Sequence, residues 1–153
     1  MTETVDQART RIRAEAAEGC RCPVCTRIVK VYRRRIHREM VVFLARLRRC
    51  CDRGRDTGAF YGPRDVRGDG AKASTDGVYL AHWGLIECEK TATGAPRRGR
   101  YRVTPRGRLF LDGSICVPAV ALFLCGDHIG FEEAMCDVNE CFGETFIYGG
   151  SVW

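Results

Sequence analysis

The sequence predicts an α+β fold organised around one β-hairpin with a helix on each side, and three observations predict it. A short apolar stretch stops at Gly84 and passes into a β-like run over Leu85–Lys90. A tip rich in Gly, Pro and Arg follows over Thr91–Gly99, and an alternating return strand covers Arg100–Val103. Thr104 and the proline after it then begin a new helix, because Thr caps helices and Pro suits the first helical position.

Helix, strand, basic tip, strand and helix is the order of elements in a winged helix. In such folds the helix before the hairpin can enter a DNA major groove while the hairpin tip lies on phosphates. A Trp-Gly-Leu-Ile step precedes the hairpin and a Tyr-x-Val-Thr-Pro-x-Gly step closes it. Their joint occurrence favours a winged helix over another α+β domain that happens to contain a hairpin.

The chain before this region begins with a helix and a cysteine-bearing turn. Thr4–Ala17 is rich in helix formers, and Gly19 can end that helix. Its apolar stripe is narrow, so the helix needs packing partners to be stable. The segment CRCPVC follows at Cys20–Cys25, and alternation over Arg27–Tyr32 suits a short strand. We therefore divide the chain into an N-terminal helix (1–19), a cysteine knuckle (20–32), a winged-helix domain (33–113) and a β-hairpin with an acidic tail (114–153).

The strongest helical pattern spans Ile36–Cys51 and predicts the central helix of the core. Six apolar residues share one face at helical spacing, namely Ile36, Met40, Phe43, Leu44, Leu47 and Cys51. Asp52–Lys72 is rich in glycine, which predicts a long loop with at most one helical turn near Pro63–Val66. A winged helix ordinarily has a second helix at that place, so this loop departs from the pattern.

Ser74–Trp83 is the predicted recognition-type helix, with Ser74 or Thr75 as its cap and Gly84 as a left-handed stop. Gly77 inside it costs about 1 kcal/mol relative to Ala. We therefore expect a short helix that depends on packing.

The region after Gly113 is β-like and then acidic. Ser114–Leu124 is an apolar run interrupted by Pro118, and Gly126-Asp127 can turn it into a second strand over His128–Phe131. A short helix is expected from Asp137. The apolar run either completes a sheet of the core or meets another chain.

Charge is distributed unevenly along the chain, whose net charge is +6. Residues 1–68 hold 17 Lys/Arg against 8 Asp/Glu, residues 69–112 hold 8 against 5, and residues 113–153 hold none against 6. A basic body favours polyanionic partners, and an acidic end can shield it or serve another partner.

The sequence also predicts a soluble, cytoplasmic protein without a membrane partner. No stretch approaches the ~18 to 20 apolar residues needed to span a bilayer, and the polar N-terminus is unlike a signal peptide. In the cytoplasm, ten cysteines indicate metal ligands or small buried hydrophobes rather than a disulfide framework.

The motif Cys20-Arg-Cys22-Pro-Val-Cys25 is the best metal signal in the chain. Two cysteines separated by two residues, with Pro after the first, form a tight turn that presents both sulfurs to one Zn²⁺. We expect one structural zinc held by Cys22 and Cys25, with Cys20 available as a third thiolate. The fourth ligand stays open among His37, Cys50, Cys51 and the Cys125/His128 pair. The alternative is a knuckle that has lost its metal and keeps two thiols.

No set of catalytic residues is visible in the sequence. Asp127-His128-Ile129 superficially resembles the start of a His-Asn-His nuclease, but His128 is the last histidine in the chain, so the second one is missing. Gly68-Asp-Gly70 lacks the strand and the Lys-Ser/Thr of a phosphate loop. We therefore expect a protein that is not an enzyme.

Two longer stretches carry a resemblance to known proteins. The segment HWGLIE…GRYRVTPRGRLFL resembles the recognition-helix-to-wing half of MarR- and PadR-like winged-helix regulators. The arrangement CPVC, VKVYRRRIHREM, WGLIE, YRVTPRGRLFLDG and a Val-Pro run resembles small proteins of actinobacterial phages and prophages, over about Cys22–Phe131. This resemblance implies a winged helix with an N-terminal zinc-ribbon-like piece, in a host bacterial cytoplasm.

The expected function is binding of double-stranded DNA by a phage regulatory protein. Candidate contacts with bases or phosphates come from the predicted helix and from the wing, namely Lys72, Ser74, Thr75, Tyr79, His82, Arg97, Arg98 and Arg100. A second basic group lies around the start of the central helix, at Arg33–Arg35 and Arg38. The alternative is an interaction module that binds a host protein through the C-terminal region, and a homodimer is compatible with either function.

Overall fold

The computed structural model describes residues 3–56, 58–67 and 75–149, and it is a mixed α+β structure with small antiparallel sheets. The helices are α1 (Val5–Glu15), α2 (Arg38–Arg53), α3 (Pro63–Arg67), α4 (Pro105–Leu111) and α5 (Val138–Phe142), with a 3-10 helix over Thr75–Ala81. The strands are β1 (Cys20–Arg21), β2 (Ile28–Val29), β3 (Val31–Arg35), β4 (Ile86–Lys90), β5 (Pro96–Val103), β6 (Val117–Pro118), β7 (Val120–Leu124), β8 (Asp127–Phe131) and β9 (Met135–Cys136). None of the helices in these ranges has the length and apolar character that a membrane crossing needs.

The chain divides into two compact units, each built from two separate stretches. Unit 1 comprises Met1–Arg35 and Val120–Glu133, and unit 2 comprises Ile36–Ala119 and Ala134–Trp153. Most of unit 2 is therefore an insertion between two strands of unit 1, which the sequence did not predict.

Unit 1 contains a three-stranded antiparallel sheet in the order β3-β7-β8. Val31 pairs with Leu124 at one end of the β3–β7 ladder, and Arg35 pairs with Val120 at the other. The apolar run after Gly113 thus supplies the central strand of a sheet in its own chain, which was one of the two expected outcomes. Helix α1 joins this unit through the carbonyl of Ala16, which accepts a hydrogen bond from the Val31 N–H at 2.8 Å.

The turn between β7 and β8 lies one residue earlier than predicted. Leu124 pairs with Asp127, so Cys125 and Gly126 are the two central residues of the turn. Both have positive φ, 52° and 92°, as a two-residue hairpin with right-handed strand twist requires. A non-glycine residue at that φ is uncommon, which is why the sequence favoured Gly126-Asp127.

Unit 2 is built around α2, and the apolar stripe predicted for this helix is confirmed. Met40, Leu44 and Leu47 are almost completely buried, and Cys51 at the end of the stripe is half-buried. Helix α2 contacts β5, the 3-10 helix, α3, α4 and α5. It is the element on which the rest of the unit packs.

The segment predicted as an α-helix over Ser74–Trp83 is a 3-10 helix over Thr75–Ala81 in the described residues. Gly77 lies directly on the ring of Phe43 from α2, and a Cβ at position 77 would overlap that ring. Because glycine has no Cβ, the Phe43 ring can lie against the backbone of the 3-10 helix, and the residue that weakens the helix locally is also the one that permits its packing. Leu80 and Trp83, which follow, are buried.

The C-terminal segment belongs to the core of unit 2. β9 pairs with β6, and α5 begins at an Asp137 cap as the sequence predicted. Val138, Phe142 and Phe146 are buried. The Trp83 indole N–H donates to the carbonyl of Pro118 at 2.6 Å, so the Trp-Gly step is fixed to the strand of this same layer.

Candidate nucleic-acid interface and cysteine knuckle

The hairpin β4–β5 forms the wing-like element of unit 2, and its tip is shorter than predicted. Thr91 and Ala95 close the tip through a backbone hydrogen bond of 2.8 Å, and Gly94 has φ 81°. The return strand begins at Pro96 rather than at Arg100. The expected tip arginines therefore lie on the return strand and not in the turn.

These arginines occupy an irregular part of the return strand. Cys88 pairs with Tyr101 and Lys90 pairs with Pro96. Residues 97–100 of β5 therefore lie opposite the single residue Glu89 of β4. A bulge of this kind bends the strand and redirects side chains. Gly99, with φ 89°, supplies the backbone conformation that an L side chain rarely adopts. Arg97, Arg98 and Arg100 all belong to this irregular part of the strand.

Glu89 on β4 is the local counterion of this group. Its Oε2 lies 3.1 Å from Nε of Arg100 and 3.7 Å from Nη1 of Arg97. Arg100 also donates to the carbonyl of Phe60 at 2.7 Å, so it links the hairpin to the loop before α3. The Arg97 side chain is 61% exposed, and the side chain of Arg98 lies outside the described part. Of the two wing arginines whose side chains are described, Arg97 is therefore the more accessible to a ligand.

The residues expected on the recognition-type helix are only partly described. Lys72 and Ser74 lie outside the described residues, as does the side chain of Thr75. The rings of Tyr79 and His82 stack with centroids 6.1 Å apart, and His82 is exposed. The structure therefore brings two of the five predicted helix contacts together on one turn.

A residue pair that sequence reasoning missed connects the loop before α3 with the hairpin. Tyr61 and Tyr101 exchange two backbone hydrogen bonds of 2.8 and 2.9 Å. Arg102 adds a hydrogen bond to the Gly58 carbonyl at 3.2 Å and lies over the Phe60 ring at 4.6 Å. In the sequence, this pairing was indicated only by two adjacent aromatic residues, Phe60 and Tyr61, in a glycine-rich loop. The expected single turn of helix after them is present as α3.

The two arginines at the start of α4 have partners in unit 2. Arg106 donates to the Trp83 carbonyl at 3.1 Å. Arg108 donates to Asp52 at 2.6 Å, and Asp112 accepts from Arg48 at 2.6 Å.

Two of the four arginines in the basic group around the start of α2, Arg33 and Arg38, pair with acidic residues of the C-terminal region. Arg33 is hydrogen-bonded to Glu132 within unit 1, and this contact lowers the pKa of Glu132. Arg38 pairs with Glu144 at 2.5 Å within unit 2 and lies 4.0 Å from the centre of the Phe142 ring. The acidic C-terminal segment thus neutralises part of the basic body.

The predicted cysteine knuckle is a closed hairpin turn in unit 1. Cys20 pairs with Val29 in the β1–β2 ladder, and Cys22 follows at the end of β1. The Cys22 N–H donates to the Arg27 carbonyl at 2.8 Å, and the Thr26 N–H donates to the Cys22 carbonyl at 2.9 Å. Thr26 has φ 59°, the left-handed conformation that closes the turn. Cys22 and Cys25 are therefore held close together.

Hydrogen bonds to the Cys22 sulfur favour its thiolate form. The backbone N–H groups of Cys25 and then Val24 donate to this sulfur, the Cys25 side chain adds a contact, and together they lower the pKa of Cys22. A thiolate is the form that binds metals.

The other candidate ligands divide between the two units. Cys125 and His128 belong to unit 1 with the knuckle, whereas His37, Cys50 and Cys51 belong to unit 2. The His128 ring packs between Phe123 and Phe131, with centroids 5.4 and 4.6 Å away. Burial raises the pKa of Cys50, which favours its thiol. Among residues 3–56, 58–67 and 75–149, no three His, Cys, Asp or Glu side chains are grouped in a way that could hold a metal ion.

No family model, curated protein or solved structure matches the chain.

Proposed function

We propose that unit 2 is a winged-helix domain that binds double-stranded DNA, and that the protein is regulatory rather than catalytic. Support comes from the order of elements: α2, the extended residue Tyr61, α3, the 3-10 helix and the β4–β5 hairpin. This is the order of a winged helix in which a short first strand pairs with the return strand of the wing. The phage-type resemblance of the sequence agrees with a small regulatory protein.

The bulge on β5 is the observation that carries the DNA-binding proposal. It lies beside the hairpin tip in the part of β5 that carries three arginines, and the Arg97 side chain is largely exposed there. Phosphate contacts by such arginines supply most of the sequence-independent affinity for duplex DNA. Lys72, Ser74, Thr75, Tyr79 and His82 are the proposed contacts of the helical segment, with Arg98 and Arg100 beside Arg97 on the wing.

Glu89 gives this proposal an internal control. Its carboxylate pairs with Arg97 and Arg100, so a DNA phosphate that binds Arg97 competes with it. Removing that charge should strengthen DNA binding, because it removes repulsion of phosphate as well as competition for the guanidinium group.

The test is a titration of duplex DNA at several salt concentrations. We expect binding at low salt, and Arg97→Ala should weaken it and make the slope of log K against log salt less steep by about 0.9. Glu89→Gln should change affinity in the opposite direction. Arg9→Ala is the matched control, because Arg9 is also exposed and also paired with a nearby carboxylate, in α1 of unit 1.

If Arg97→Ala behaves like Arg9→Ala, the wing is not part of a DNA interface. The competing function, capture of a host protein through the C-terminal segment, is favoured by two exposed apolar side chains there, Met135 and Ile147 at 54% and 67% exposure. Binding of a partner that Met135→Asp and Ile147→Asp abolish, in a protein without DNA affinity at low salt, would establish that function.

A further inference from the structure

The cysteine knuckle lies at the tip of a short hairpin, and its surroundings are open. Cys25 is exposed, and the aliphatic side chains of Val24 and Ile28 are 83% and 66% exposed. A tight turn closed by two backbone hydrogen bonds therefore presents a pair of thiols on the same short hairpin as two exposed apolar side chains. Contact between this tip and another surface is favourable, because it removes both aliphatic side chains from water.

The knuckle supplies half of a zinc site. Cys22 accepts hydrogen bonds from two backbone N–H groups, and Cys25 is in contact with its sulfur. Structural zinc is tetrahedral and takes four ligands, for which four cysteine thiolates are a common set. Two further ligands are required to complete the shell. Because the tip is exposed, a second identical tip can approach it.

Charge at the tip fits this arrangement. One Zn²⁺ with four thiolates has a net charge of −2, which needs nearby cations. Arg21 donates to the carbonyl of Thr26 at 3.3 Å and so lies along the turn, and Arg27 is exposed beside it. Arg11 from α1 contributes positive potential at Cys22. Two copies of the tip provide twice this set of cations, whereas without the metal site the same cations would repel each other.

We propose that two copies of the chain share one Zn²⁺ through Cys22 and Cys25 of each copy. The reaction involves no oxidation: four thiols bind the ion as thiolates and release up to four protons, and no other bond changes. The apolar pairs formed by Val24 and Ile28 of the two copies flank the ion and shield it from water. This inference does not depend on DNA binding, since the knuckle belongs to unit 1.

The experiment measures zinc content and molar mass of the full-length protein, purified under reducing conditions. We expect a dimer with one zinc per two chains, which a strong chelator converts to monomer and added zinc restores. Cys22→Ser and Cys25→Ser should each give a monomer without bound zinc. Cys116→Ser, which changes an exposed cysteine of unit 2, and Cys20→Ser at the base of the hairpin should keep the dimer and its metal.

Cobalt(II) bound in place of zinc provides a second readout, because its visible absorption distinguishes four thiolates from a mixed set of ligands. A spectrum typical of four thiolates supports the shared site. One zinc per monomer, with the metal lost in Cys125→Ser or Cys20→Ser, would overturn the proposal in favour of a site within one chain. Protein without zinc, or a dimer that persists without it, would overturn it as well. Titration of the monomeric variants with DNA tests the proposed DNA binding separately from the zinc-linked dimer.

Discussion

Single residues in unit 2 have functions that their intrinsic propensities do not indicate. Gly77 lowers helix propensity, yet it is the position where the 3-10 helix touches the Phe43 ring. Gly107 in the Thr-Pro-x-Gly step is similar, because a Cβ there would meet the carbonyl oxygen of Leu85. Gly77 is needed for close approach of the Phe43 ring and Gly107 for close approach of the Leu85 backbone, and neither contact can be inferred from local sequence.

Gly77→Ala should destabilise the protein by about 1 to 3 kcal/mol, the usual effect of overpacking a well-packed core. The loss is expected despite the better helix propensity of Ala. Gly62→Ala is the control, because the nearest atoms to a Cβ there are 3.4 and 3.5 Å away. Urea unfolding of both variants measures the difference. Equal midpoints would mean that Phe43 moves aside without loss.

Asp52 connects three parts of unit 2. It accepts hydrogen bonds from Arg108 at 2.6 Å and from the Tyr148 hydroxyl at 2.9 Å. Partial burial raises the pKa of Asp52, but these hydrogen bonds and the charges of Arg108 and Arg48 outweigh that effect, so its pKa is lowered. Arg48 also lies over the Tyr148 ring at 4.1 Å, which adds the C-terminal segment to the cluster.

The lowered pKa of Asp52 makes part of the stability pH-dependent. The contribution is complete above the unfolded-state pKa of about 3.9 and is lost as the pH falls through the lower pKa of the folded state. Asp52→Asn should therefore lower stability near pH 7 by on the order of 1 kcal/mol, given its partial exposure, and the deficit should shrink in acid. Thermal unfolding across pH measures it, with Glu133→Gln as a surface control. A deficit that is constant with pH would contradict the ionic explanation.

At the level of elements, the local signals predicted most of unit 2. The stripe of α2 was confirmed because its spacing is the direct consequence of one buried helix face. Thr104 caps α4 as predicted, accepting from the Gly107 N–H at 3.0 Å and donating to the Gly84 carbonyl at 2.6 Å. The short 3-10 helix and the early start of β5 were missed. Packing on Phe43 decides the first and a strand bulge decides the second, and both depend on residues distant in sequence.

The cysteine knuckle shows the same limit. Its turn was predicted, because the Cys-Pro-x-Cys spacing acts within a few residues. The sequence did not predict which of the other candidate ligands lie in the same unit as the knuckle. That depends on which strand pairs with β3. The zinc itself and the contacts with DNA stay predictions.

At the level of the whole molecule, the C-terminal segment is a structural part of unit 2. Phe142 is buried, packs edge-on against Phe146 with centroids 5.2 Å apart, and contacts Arg38 of α2. Residues that the sequence suggested as a surface for partners are therefore partly core. Removal of the acidic tail from Glu132 onward would therefore also remove core packing.

Phe142→Ala should cost about 3 to 5 kcal/mol, as for other buried aromatic residues. Ile147→Ala, five residues later at a side chain that is 67% exposed, should have little effect. Chemical denaturation of the two variants is the measurement. Similar, small effects would mean that the segment contributes little to stability and is available to a partner.

The insertion of Ile36–Ala119 between β3 and β7 has a consequence for how such a protein can arise and be re-engineered. Arg35 and Val120 are cross-strand neighbours, and just beyond them the Ile36 N–H donates to the Ala119 carbonyl at 3.0 Å. The two ends of Ile36–Ala119 therefore meet side by side, as the ends of a two-residue hairpin turn do. A gene segment that encodes such a piece can enter or leave a β-turn without stretching the host sheet. The chain therefore has the construction of a small sheet with a long insertion at one strand connection, and Ala134–Trp153, which completes unit 2, follows the sheet rather than belonging to the insertion.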